Sequence, residues 1–143
     1  MELHEYNVSL TWTEGRKGII GSPELKDALE VATPPQFENG ISDIWSPEHL
    51  LTAAVSSCFM TTFLAIADYS KLEYLSFECD AVGVLGKPDG RYAMTEIILK
   101  PKIELANEMD REKAIKIMIK AEAACLITRS IKTPVRLELE TYA

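Results

Sequence analysis

An α+β fold follows from the order in which three kinds of pattern occur along the chain. Short alternating runs come first, one long apolar run extends from Ser46 to about Tyr69, and a second set of alternating runs flanks a stretch of helical spacing. That order predicts a β-meander, a long central helix, a β-hairpin, a second helix and a final strand. With 143 residues, 47% of them hydrophobic, the chain is long enough for one real core and short of two, so a single domain over 1–143 is expected.

From Tyr6 to Trp12, the apolar residues Tyr6, Val8, Leu10 and Trp12 alternate with Asn7, Ser9 and Thr11, the pattern of a half-buried strand. A turn at Glu14-Gly-Arg-Lys-Gly18 follows. Ile19-Ile20 and Ala28-Leu-Glu-Val31 are shorter strand candidates that complete the meander. Thr33 to Gly40 contains two prolines, which fix φ and remove backbone donors, so this segment is a loop.

Ser46-Pro47-Glu48 is a strong helix start: serine caps, proline suits the first helical position, and an early glutamate complements the positive end of the helix dipole. The helix that follows has almost no polar face beyond small hydroxyls, which predicts burial nearly all round. One subunit of this size is short of the surface needed to cover it, so an obligate dimer pairing two such helices is expected.

Leu75–Leu85 and Arg91–Glu104 read as two strands joined by a hairpin turn at Gly86-Lys-Pro-Asp-Gly90. In the second strand either face could be the inner one. Ala114, Ile117, Met118 and Ala121 recur at helical spacing from Asp110 to Ala124, with Lys113, Lys116 and Lys120 on the outer face. Cys125 to Lys132 reads as a short continuation or second turn of helix, closed by Thr133-Pro134. Val135, Leu137 and Leu139 then alternate with charged residues as the last strand.

The N-terminus is acidic and lacks a secretory h-region, and Asp68 and Lys71 are expected to keep any apolar run below the roughly 18 residues of a membrane span. A soluble, cytoplasmic protein is the expectation. The formal net charge of -7 argues against a nucleic-acid partner, which would require clustered Lys and Arg. Three cysteines make no secreted disulfide framework, and no C-x-x-C or Cys/His spacing suggests zinc, so neither a metal nor a bound cofactor is expected. His4 and His49 are isolated, and His49 fits a local cap or a solvent-facing ring.

Chemistry points to the thiols. Cys58 lies in the middle of the apolar helix and Cys125 closes the later helical run. A buried free cysteine is by default a small hydrophobe, and reactivity requires a group that favours the thiolate. Cys79, alternating with Glu78 and Asp80, belongs on the inner face of a strand as core packing.

The stretch Ser46-Pro-Glu-His-Leu-Leu-Thr-Ala-Ala-Val-Ser-Ser-Cys-Phe59 resembles the [N/S]-P-E-x-L-x-A-A-x-x-x-C-F signature of the OsmC/Ohr family, the osmotically inducible and organic hydroperoxide resistance proteins. Glu122 to Ile131 resembles the family's second cysteine segment, and the resemblance extends from about Tyr6 to Leu139. It implies an OsmC-like fold, an intertwined homodimer with two central helices, and a thiol peroxidase in oxidative stress defence. On that resemblance Cys58 matches the peroxidatic cysteine, Cys125 the resolving cysteine, Glu48 the glutamate of the P-E pair, and Arg16 the arginine after the first strand. Lys17 is adjacent to that last position. Two departures stand out: Leu126 follows Cys125 where many members have proline, and no doubled glycine precedes Arg16.

Ten residues of helix separate Glu48 from Cys58 by ~15 Å, so a glutamate serving Cys58 must come from the partner subunit. The implied reaction has Arg16, held by Glu48, stabilising the Cys58 thiolate, which attacks an organic hydroperoxide and becomes a sulfenic acid. Cys125 then forms a disulfide with it, and an external dithiol, lipoyl or another thiol, restores both. The rival readings are a non-catalytic redox sensor or apolar-ligand binder on the same scaffold, and a structural dimer whose cysteines only pack.

Overall fold

The computed structural model describes residues 1–139, which form an α+β protein organised as two compact units, Met1–Leu50 and the chain from Leu51 onward. The first unit is built on an antiparallel meander of β1 (Ser9–Glu14), β2 (Lys17–Gly21) and β3 (Leu29–Ala32), in that order across the sheet. Leu10 faces Ile20 and Trp12 faces Gly18 across β1 and β2. Gly15, at φ +51°, supplies the left-handed residue of the turn between them. A Cβ on Gly18 would lie 2.6 Å from the Thr11 carbonyl oxygen, so only glycine lets the strands approach there.

The alternation starting at Tyr6 misplaces β1, which begins at Ser9, and its expected half-burial is not observed. All six of its residues are exposed, Trp12 by 73%. The meander is a single layer within its unit, so an apolar face exists with nothing in Met1–Leu50 stacked upon it. After β3 the proline loop folds back, with the Ile41 N–H donating to the Thr33 carbonyl at 2.9 Å and the Ala32 N–H to that of Trp45 at 2.8 Å. This return delivers the chain to the start of α1 (Pro47–Tyr69).

Ser46 is fully buried, and its hydroxyl accepts the His49 N–H at 3.1 Å, which makes it the expected helix cap. The His49 ring is the second partner, with Nδ1 2.6 Å from the Ser46 Oγ.

The second unit holds the core. Its sheet contains β4 (Tyr74–Gly86), β5 (Ala93–Leu105) and β6 (Val135–Leu137) in the order β4-β5-β6, with β5 antiparallel to β4 and parallel to β6. A parallel neighbour requires a crossover, which α2 (Arg111–Ala124) and α3 (Leu126–Ser130) supply. The ambiguous second strand is resolved: Ile97, Leu99, Pro101 and Ile103 are buried, so the face carrying Tyr92, Met94 and Glu96 is the outer one. They pack with Val55, Phe59, Phe63 and Ala67 of α1 and with Ala114, Ile117, Met118 and Ala121 of α2. Phe63 sits at the centre, its ring 4.9 Å from that of Phe77 and 5.7 Å from that of Tyr74. A Cβ on Gly83 would overlap the Thr52 hydroxyl, so glycine permits the close crossing of α1 over β4.

Four further expectations require correction. Helix α1 is buried along one stripe, Val55, Cys58, Phe59, Phe63 and Ala67, whereas Ser57, Met60, Thr61 and Ala65 are exposed. By length and composition α1 is also apolar enough to cross a membrane, because Asp68 comes late in it and Lys71 lies beyond its end. The core helix of a globular unit passes the same test, and the buried stripe of α1 is used in that way. Cys125 itself is extended rather than helical, at φ -62° and ψ 115°, so that α2 does not continue and the segment beyond it forms the second turn of helix, α3. The last strand ends at Leu137, leaving Leu139 outside it, and Glu140 lies outside the described residues.

Candidate active site

Cys58 occupies the buried stripe of α1, one helical turn after Val55, which aims its thiol into the second unit. Cys125 is placed by the break between α2 and α3. Its N–H donates to the Glu122 carbonyl at 3.4 Å, and its carbonyl accepts the Arg129 N–H at 3.1 Å, so it ends one helix and opens the next. Both residues are buried, Cys58 with 9% and Cys125 with 0% of its surface exposed, and both are free thiols.

The two thiols are close enough to influence each other's ionisation. Burial pushes Cys58 upward, but the Cys125 S–H, the Ile127 N–H, the Thr62 hydroxyl and the Leu126 N–H together outweigh it, so the Cys58 thiol is held below its ordinary range. The Thr62 Oγ1 lies 4.0 Å from the Cys58 Sγ. Cys125 is displaced the other way: burial raises it, its role as donor to Cys58 raises it further, and contacts with the Thr128 hydroxyl and N–H only partly offset these. One buried thiol is thus favoured as thiolate while its neighbour keeps the proton, the polarity required of a nucleophile beside a thiol held in reserve.

Arg16 and Glu48 belong to the first unit. Arg16 sits in the β1–β2 turn, with its side chain exposed and its carbonyl accepting the Thr33 N–H at 3.1 Å. The adjacent Lys17 is engaged with Glu30 at 3.2 Å and Glu14 at 3.5 Å, which distinguishes the two neighbouring cations. Glu48 is half-buried in the first turn of α1.

The remaining candidates are structural. Cys79 is half-buried on β4 against the core, and burial pushes its thiol up to about 11. His49 is exposed, bonded to Ser46 and edge-on to Trp45 with ring centroids 6.2 Å apart. Lys113, Lys116 and Lys120 are exposed as expected. Among the described residues no three His, Cys, Asp or Glu side chains are grouped to hold a metal ion. Sequence reasoning missed Thr62 and Thr128. Their signal was spacing: Thr62 is one helical turn beyond Cys58, and Thr128 is three residues beyond Cys125, where the first turn of α3 bends back on its cap.

The sequence profile described as "OsmC-like protein" matches residues 40–140, most of the chain and all three cysteines. The chain belongs to the OsmC-like family. One relative is the uncharacterized protein YmaD of Bacillus subtilis (strain 168), 26% identical over 140 residues that cover 96% of this chain and 93% of YmaD. Among solved structures, an OsmC-like protein of unknown function from Vibrio cholerae superposes with a TM-score of 0.87 at 23% identity, covering 96% of this OsmC-like chain and all of that one. An organic hydroperoxide resistance protein OsmC from Legionella pneumophila superposes with a TM-score of 0.79 at 19% identity, over 99% and 100% of the two chains. The α+β architecture of the OsmC-like fold is therefore shared throughout.

Proposed function

We propose that this OsmC-like protein is a cysteine-based peroxidase that reduces organic hydroperoxides in oxidative stress defence. The observation that carries the reading is the polarised thiol pair, Cys58 lowered and Cys125 raised, buried side by side. The name of the similar Legionella protein, an organic hydroperoxide resistance protein, supports the choice of substrate class.

In this reading the Cys58 thiolate attacks the distal peroxide oxygen. The S–O bond forms as the O–O bond breaks, and the alkoxide leaves and takes a proton. Cys58 is then a sulfenic acid, two electrons more oxidised, and the hydroperoxide has become an alcohol. Cys125 attacks the sulfenic sulfur, forming the disulfide and expelling hydroxide, which takes up the Cys125 proton as water. An external dithiol reduces the disulfide, and no bound cofactor or metal takes part. Arg16, oriented by Glu48, serves as the cation that supports the thiolate and the departing alkoxide.

The reading includes a homodimer in the cytoplasm, with no nucleic-acid or membrane partner. Supporting the dimer are the exposed apolar residues of the N-terminal meander, Leu10 at 68% and Trp12 at 73%, and the exposed outer face of α1.

The test is consumption of cumene hydroperoxide and hydrogen peroxide by reduced protein with a dithiol, wild type beside Cys58→Ser and Cys125→Ser. Fast turnover that prefers the organic peroxide and is lost in Cys58→Ser supports the reading. Disulfide formation without turnover replaces it with a redox sensor, and no reaction at all leaves the apolar-ligand binder or the structural dimer.

A further inference from the structure

Serine and threonine hydroxyls lie close to Cys58 along α1, and most of them bond back to the helix, the usual habit of such residues. Ser56 donates to the Ala53 carbonyl at 3.1 Å, Ser57 to that of Ala54 at 3.2 Å and Thr61 to that of Cys58 at 3.1 Å. Thr62 departs from this habit. Its hydroxyl is turned to the side chain one helical turn back, with Oγ1 4.0 Å from the Cys58 Sγ. Thr62 is half-buried, so fewer waters compete for that contact than at an exposed position.

We propose that Thr62 is a positioning residue for Cys58, donating its hydroxyl to the sulfur so that the thiolate keeps a fixed place on α1 and retains a donor when Cys125 no longer supplies one. The role assigned to Thr62 rests on the reading of Cys58 as the reacting thiol. A thiolate has no proton to give, so in that state the oxygen donates and the sulfur accepts. Charge on the sulfur draws the hydroxyl closer than it lies to a neutral thiol. The place of Thr62 in the chain separates it from the other groups that favour the Cys58 thiolate. Cys125, Leu126 and Ile127 act on Cys58 from the break between α2 and α3, whereas Thr62 lies on the same helix at the i,i+4 spacing that makes side chains neighbours. Oxidation of Cys125 or a shift of that break takes the first set away, and Thr62 stays beside the sulfur for as long as α1 is helical. The adjacent Thr61 cannot take its place, because its hydroxyl is already committed to the Cys58 carbonyl.

The experiment uses a Cys79→Ala, Cys125→Ala background, in which Cys58 is the one thiol and the Cys125 donor is absent. Within it, Thr62→Val keeps the branched shape and removes the hydroxyl, and Thr62→Ser restores a hydroxyl. Each protein is alkylated with iodoacetamide between about pH 6 and pH 10, a span that brackets the ordinary ionisation of a thiol. The Cys58 thiolate forms the S–C bond as iodide leaves with the electron pair of the C–I bond. Thr62→Val is expected to react about threefold to tenfold more slowly at neutral pH, the effect of one hydrogen bond on the thiolate population. The deficit should close as pH rises and Cys58 ionises unaided, and Thr62→Ser should recover the rate of its parent.

Equal rates for Thr62→Val and its parent at neutral pH overturn the proposal. So does a deficit of one size at every pH, or one that Thr62→Ser shares, since either marks a role in packing alone. Thr62→Ala set against Thr62→Ser gives the same comparison if the valine variant does not fold, and Cys125→Ser replaces Cys125→Ala if that background does not. Because this assay uses no peroxide, it separates the two ideas. Wild type that ignores hydroperoxides, together with alkylation that depends on Thr62, ends the peroxidase reading and leaves the role of Thr62 standing; peroxide turnover beside alkylation indifferent to Thr62 does the reverse.

Discussion

Replacing Cys125 by alanine should make Cys58 a poorer nucleophile before any disulfide chemistry begins. Four donors converge on the Cys58 sulfur, and the Cys125 S–H has the largest effect among them. A hydrogen bond to a charged group contributes about 1.5–3 kcal/mol. Sulfur is a diffuse acceptor and three donors remain, so the lower end applies, and about 1.5 kcal/mol is close to a factor of ten in the thiolate population. The assay is the pH dependence of alkylation by iodoacetamide in a Cys79→Ala background, which leaves Cys58 as the one thiol once Cys125 is replaced. Cys125→Ala should alkylate about tenfold more slowly than Cys125→Ser at neutral pH, because serine retains a donor, and the two should converge where the thiol ionises without help. Truncation to alanine also admits water, which works in favour of the thiolate, so the comparison with serine isolates the donor. Equal rates in the alanine and serine variants at neutral pH would refute the assignment of Cys125 as the activating donor.

Three further outcomes follow from the packing and the cap. Phe63→Ala removes a fully buried ring stacked on Phe77 and should cost about 3–5 kcal/mol, read as a lower urea midpoint; a loss below about 1 kcal/mol would contradict its central place in the core. Ser46→Ala should cost about 0.5–2 kcal/mol by leaving the His49 N–H without its cap, seen in the same denaturation experiment as earlier unfolding. For Cys79 the folded thiol is raised from 9.0 to about 11, so between those values the unfolded chain has lost a proton that the folded chain keeps, and stability should fall as pH rises through that window. Cys79→Ala should flatten that part of the stability curve, and an unchanged slope would mean that other groups produce it.

The fold was legible where one element's own periodicity carries the information. The Ser46-Pro47-Glu48 start of α1, the hairpin of β4 and β5, and the spacing of Ala114, Ile117, Met118 and Ala121 all reappear in the structure, within a residue or two at their ends. Two errors had a common cause. Tyr6-x-Val8-x-Leu10-x-Trp12 alternates as a half-buried strand does, and α1 is apolar all round as a wholly buried helix is, but alternation records which side is apolar and not whether anything covers it. From Cys125 to Lys132 the sequence reads as a continuation or a second turn of helix, and the structure keeps the second turn while making Cys125 itself extended. The chain breaks there because an extended Cys125 can bond its N–H back to Glu122 and its carbonyl forward to Arg129, which starts α3 in a new direction.

By itself the sequence determined the order of the elements, the helix on which Cys58 lies, the acidic net charge and the motif that marks the OsmC-like family, since each of these is a local property of neighbouring residues. Only the tertiary structure decided which face of β5 turns inward, that the Cys58 and Cys125 thiols lie near each other, and which groups surround each sulfur. Those depend on α1, α2 and α3 packing around one sheet, and residues far apart in sequence acquire a shared proton and opposite charge preferences only when burial brings them together and removes the water between them.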